Sequence, residues 1–155
     1  MSTSKPWLSH RRLAQRLTIL LGRWRLEGTY VGEGGPQPIA GTTTIRWLVK
    51  DALAVMRTRM RGGPMGITAV LGADDANNCY SMQYTDTRGV TRQYVMTLTA
   101  RRWTLFRRAR GFRQRFTGRI APGGRTIRAT WDLSADGRRW VRDLNLVYRK
   151  RRQAE

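Results

Sequence analysis

The chain has 155 residues and a mass of 17.9 kDa, which suits one domain with its own core. Hydrophobic residues make up 40%, too many for a wholly disordered chain. Thirty basic residues oppose ten acidic ones, for a net charge of +20, and Cys79 and His10 are the sole cysteine and histidine. That excludes an internal disulfide, a thiol metal cluster, a multi-histidine metal site and a Ser-His-Asp triad.

Residues 1–22 form an N-terminal segment without acids. Leu13, Leu17, Leu20 and Leu21 recur at i, i+4, i+7 and i+8, which predicts an amphipathic helix. Ser4 with Pro6 supplies a start and Gly22 a stop. The favoured reading packs the leucines against the domain; a transit peptide and a membrane-surface helix remain alternatives. No apolar run reaches the roughly 20 residues that span a bilayer, and a cytoplasmic, bacterial protein is expected.

From residue 23 the pattern is β. Runs rich in Val, Ile, Thr, Tyr, Trp and Phe predict strands near 23–31, 39–49, 52–60, 66–73, 78–85, 91–99, 102–108, 111–120, 125–133 and 138–149. Turn formers separate them: Gly34-Gly35-Pro36, Gly62-Gly63-Pro64, Asp74 to Asn78, Arg88-Gly89, Pro122-Gly123-Gly124 and Asp136-Gly137. Connections this short demand antiparallel pairing. Closure into a single barrel over 23–150 removes the exposed edges, with an immunoglobulin-like sandwich as competitor. Residues 151–155 form a basic tail end.

The alternation separates faces. Phe112, Gln114, Phe116, Gly118 and Ile120 share one side of their strand, while Arg113, Arg115, Thr117 and Arg119 share the other. Ile127, Ala129, Trp131 and Leu133 likewise oppose Thr126, Arg128, Thr130 and Asp132. Glu27, Asp132 and Asp143 are acids inside predicted strands, and cross-strand ion pairs on the outer face are the expected arrangement.

The segment Leu21-Gly22-Arg23-Trp24-Arg25-Leu26-Glu27-Gly28-Thr29 resembles the opening strand of calycin-type barrels, with their Gly-x-Trp signature. Trp140 to Arg149 resembles their closing strand. Tyr84 to Val90, Thr117-Gly118 and Trp131 to Gly137 look like bacterial lipocalin-like proteins of unassigned function. The resemblance covers about residues 15–150. It implies an antiparallel barrel of about ten strands, an all-β fold after the short helix, with Gly22, Trp24 and Arg149 as structural signature. Arg149 or Arg151 would cover the Trp24 ring, as a cation over an indole face is favourable. Nitrobindin-like barrels share a similar opening and hold haem through a C-terminal histidine. No histidine follows His10, so haem held by histidine is not implied. No cofactor and no metal are expected.

With Trp24 inward, Leu26, Gly28 and Tyr30 follow. The other apolar phases add Met56, Tyr94, Met96, Phe112, Phe116 and Trp131, with Arg92, Gln114 and Thr58 as polar members. Gly28 and Gly118 would leave space. Tyr80, Met82 and Tyr84 share a face toward the lumen or toward the helix. Such a lining suits a small, largely apolar ligand; a filled core is the competing reading. A barrel enzyme of cyclase or isomerase type, acting by enclosure, is an alternative. Nucleic-acid binding is another, because residues 101–119 carry eight arginines and no acid, interleaved with Trp103, Phe106, Phe112 and Phe116. It is not favoured, since Phe112 and Phe116 alternate away from Arg113 and Arg115. A homodimer is left open.

Overall fold

Alternating side chains and glycine turns build ten antiparallel strands: β1 (Gly22–Tyr30), β2 (Gln37–Val49), β3 (Leu53–Arg61), β4 (Gly66–Asp74), β5 (Cys79–Asp86), β6 (Thr91–Leu98), β7 (Arg102–Ala109), β8 (Phe112–Ile120), β9 (Thr126–Ser134) and β10 (Val141–Lys150). They are counted over residues 9–32, 34–61 and 66–152, which the computed structural model describes. Each strand pairs with its chain neighbours, and β10 returns to β1 to close the barrel. Closure satisfies both edges of every strand. Leu26, for example, lies between Tyr148 on β10 and Gly41 on β2.

The expected strands match in number and order, with shifted ends. The last begins at Val141 rather than 138, because Asp136 holds the preceding residues in a turn. Its carboxylate accepts the backbone N–H groups of Arg138 and Arg139 at 2.8 and 2.9 Å. The Gly62-Gly63-Pro64 turn and the helix start at Ser4 and Pro6 lie outside the described residues.

The N-terminal helix α1 (His10–Arg16) begins at Ser9, whose hydroxyl accepts the Arg12 N–H at 3.3 Å. It ends at Arg16, before the expected stop at Gly22, and passes into a 3₁₀ turn at Leu17–Ile19. Leu13, Leu17 and Leu20 are buried as their spacing predicts, and Leu21 is half-buried. The segment closes one end of the barrel. Tyr80 on β5 donates its hydroxyl to the Leu13 carbonyl at 2.7 Å, and Arg16 donates to the Leu98 carbonyl at 3.0 Å. Burial pushes the Tyr80 phenol up to about 12.

Trp24 is 1% exposed and donates its indole N–H to the Leu20 carbonyl at 2.9 Å. The cation beside its ring is Lys150, with Nζ 5.3 Å from the centre, and not Arg149 or Arg151. Register gives the reason. Trp24 lies opposite Lys150, so the two share a face, while Arg149 faces outward and donates to Glu27 at 3.2 Å. Gly22 holds φ +135°, and a Cβ there would meet the Lys150 stem at 2.6 Å. The glycine of the Gly-x-Trp pattern therefore seats the lysine over the tryptophan.

Candidate ligand cavity

The end opposite the helix is not filled. A cavity of about 620 Å³ opens among the ends of the strands there. Its walls follow from strand phase. Leu26, Ile39, Met56, Met60, Met82, Leu105 and Leu146 supply apolar surface, with Tyr30, Tyr94, Trp103, Phe112, Phe116, Trp131 and Tyr148 as aromatic panels. The panels brace one another edge to face: Tyr94 against Trp131 at 5.5 Å and Trp103 against Phe116 at 4.7 Å between ring centres.

Of the ten lumen residues expected from the sequence, Leu26, Tyr30, Met56, Arg92, Tyr94, Phe112, Gln114, Phe116 and Trp131 line this cavity. Met96 does not. It is fully buried, with Tyr80 and Leu105 as its cross-strand neighbours, two residues from the Leu98 carbonyl that receives the helix. The face of Tyr80, Met82 and Tyr84 divides the same way, with Tyr80 under the helix and the other two in the cavity wall. Gly118 leaves no gap, because Ile127, Phe116 and the Trp103 backbone crowd the place of a Cβ. Gly28 lets β10 approach, since a Cβ there would run into the Asn145 backbone.

Polar groups cluster near the mouth. Arg92 and Tyr94 both donate to Gln114 Oε1, at 3.0 and 2.9 Å. A guanidinium only donates, so the atom it meets is oxygen and the Gln114 NH₂ is left to donate elsewhere. Arg92 also lies over the Phe112 ring at 5.3 Å. Thr58 is joined to Thr43 at 2.8 Å. At the rim, Asp86 accepts from Arg88 Nη2 and Tyr84 Oη, each at 2.7 Å. The Arg88 guanidinium holds the Asp86 carboxyl well below the usual carboxylate range, and burial raises the Tyr84 phenol.

Two of the three strand acids form outer-face pairs. Glu27 meets Arg149, and Asp132 meets Arg142 at 2.7 Å and Arg115 at 3.5 Å. Asp143 breaks the expectation. Strict alternation would turn it outward with Asn145, but the β10–β9 register slips between Arg142 and Leu144, leaving Asp143 as the extra residue of a β-bulge. The bulge brings both Asp143 and Leu144 to the cavity wall. The Asp143 carbonyl accepts the Val31 N–H at 2.8 Å, which ties the bulge to β1. Burial raises the Asp143 carboxyl above its ordinary value, against a smaller lowering by Arg92.

Alternation along β7 was the available signal for Trp103, which with Leu105 faces inward. Of the four aromatics interleaved with the arginines of 101–119, Phe106 alone is an exposed outer residue. Arg115 there stacks on Trp140 at 4.1 Å. Cys79 is half-buried, and burial followed by the Asp74 charge raises its thiol, the reverse of an activated nucleophile. Among the described residues, no helix is long and apolar enough to cross a membrane.

No protein-family model and no curated protein matches the chain. Among solved structures, it is similar to Rv2717c from M. tuberculosis at 17% identity and a TM-score of 0.70, over 90% of this chain and 98% of that one. It is also similar to the S-type phycobiliprotein lyase CpeS from Guillardia theta at 9% identity and a TM-score of 0.58, over 96% and 95%. At these identities the likeness is one of fold alone, a closed antiparallel β-barrel.

Proposed function

We propose that the protein binds a small, largely apolar molecule inside the barrel. The observation that carries this reading is the cavity of about 620 Å³, walled by aromatic and methionine side chains and open at one end. Its size and lining suit a small organic ligand, with apolar walls for affinity and a few polar groups for orientation. Fluorescence titration with prodan, a neutral naphthalene probe, tests it. Saturable, blue-shifted binding of one probe per barrel is expected. Met82→Trp, which fills the wall, should weaken it at least tenfold while the circular dichroism spectrum is retained. A non-saturating signal that Met82→Trp leaves unchanged contradicts the reading.

A second reading, a barrel enzyme of cyclase or isomerase type, rests on Asp143. A half-buried carboxyl facing an apolar cavity is suited to proton transfer. The name of one structural neighbour, a phycobiliprotein lyase, supports an enzyme on such a barrel. Conversion of a bound substrate that Asp143→Asn abolishes, with binding kept, would establish this reading; binding without turnover favours the carrier.

A further inference from the structure

In a chain of net charge +20, a carboxylate can readily find a cation. Asp86, Asp132 and Glu27 each have one. Asp143 does not: among the described residues its side chain makes no hydrogen bond and no ion pair, although it lines the cavity and is half-buried. Arg92, also in the wall, is near enough to act on its charge, yet its side-chain hydrogen bond goes from Nη1 to Gln114 Oε1, and its other N–H groups remain available to donate. The Gln114 NH₂ likewise has no partner among the described residues, and Gln114 is in the same wall. One acceptor on β10 and two sets of donors on β6 and β8 thus face a shared space. A carboxylate left unpaired in an apolar cavity is costly unless something donates to it.

We infer that Asp143 is a specificity-determining residue: it accepts a hydrogen bond from an N–H or O–H group of the ligand, while Arg92 and Gln114 donate to an acceptor oxygen beside it. The ligand class is an apolar body ending in a head that carries donor and acceptor together, as a primary carboxamide does. The inference rests on the cavity-binding reading and names the polar end of that ligand. The bulge at Asp143 has a role in this account. It brings to the wall a side chain that regular alternation would expose to solvent.

Competition against prodan with two matched probes tests it. The probes are 2-naphthamide and N,N-dimethyl-2-naphthamide, which share a body and a carbonyl but differ in the N–H donors. Wild-type protein should prefer the primary amide by about tenfold, equivalent to about 1.4 kcal/mol. Asp143→Leu should erase that preference, so that the two amides displace prodan equally from the variant. Asp143→Asn, which keeps an acceptor oxygen, should restore part of it. Circular dichroism confirms the fold of each variant, and Asp143→Ala replaces the leucine variant if that one does not fold. Equal displacement by both amides, or a preference that survives Asp143→Leu, overturns the head-group assignment and leaves the cavity reading intact. Failure of prodan to bind the wild type overturns the cavity reading and this inference with it.

Discussion

The two ends of the barrel use the same strands for different purposes. At the closed end, leucines from the N-terminal segment meet Trp24, and donors there find backbone acceptors: Trp24 on Leu20, Tyr80 on Leu13, Arg16 on Leu98. At the open end, aromatic panels enclose space, and Asp143 and the Gln114 NH₂ have no partner among the described residues. The first arrangement pairs these three donors with acceptors of the same chain and so stabilises the fold. The second holds groups whose partners would have to come from outside. Stability and binding are therefore expected to separate along the barrel axis.

The largest expected effect tests that separation at the closed end. Trp24→Ala should cost about 3–5 kcal/mol of stability, the usual range for deleting a buried aromatic side chain. Denaturant unfolding measures it, and prodan binding by the molecules that remain folded should change little. At the rim, Asp86→Ala should cost about 2–3 kcal/mol at pH 7, because it removes a buried acceptor from Arg88 and Tyr84. The folded-state Asp86 carboxyl lies well below its ordinary value, so its contribution is fully present above the ordinary carboxylate value and is lost progressively as pH falls from there through the lower folded-state one. Unfolding of the variant and the wild type should thus converge in acid. A smaller effect is expected for Tyr80→Phe, about 0.5–1.5 kcal/mol for one hydrogen bond to the helix, again by denaturant.

The smallest prediction reverses sign. Burial raises the folded-state Asp143 carboxyl, so its ionised form opposes folding, and that penalty grows as pH rises from the ordinary aspartate value through the raised one. Asp143→Asn should raise the melting temperature at neutral pH by roughly 1–3 °C, the scale of a fraction of a kcal/mol in a domain this size. The gain should vanish below the ordinary carboxylate range. A thermal scan at both pH values checks it. A lower melting temperature at neutral pH would place Asp143 among the stabilising groups and blur the contrast between the ends.

Strand number, strand order and most inward residues were legible in the sequence, because period-two alternation and glycine turns are local signals. Phe112, Gln114 and Phe116 reached the cavity wall by that rule alone. The failures lie where register decides. Arg149 or Arg151 was expected over Trp24, but the pairing of β1 with β10 places Lys150 there. Met96 has the correct phase, but its depth depends on where the helix docks. Asp143 was expected outside, and a single extra residue in β10 brought it to the wall. A bulge is a property of two strands together, so one strand read alone does not reveal it.

The central claim is that the open end holds a small molecule. Its most direct test is native mass spectrometry of the protein after equilibration with a small-molecule extract of its own cells. The account predicts one retained molecule per barrel, with an apolar body and a donor-bearing head, displaced by prodan and absent from Met82→Trp. A barrel that stays bare in that extract, or retains the same molecule after Met82→Trp, would contradict it.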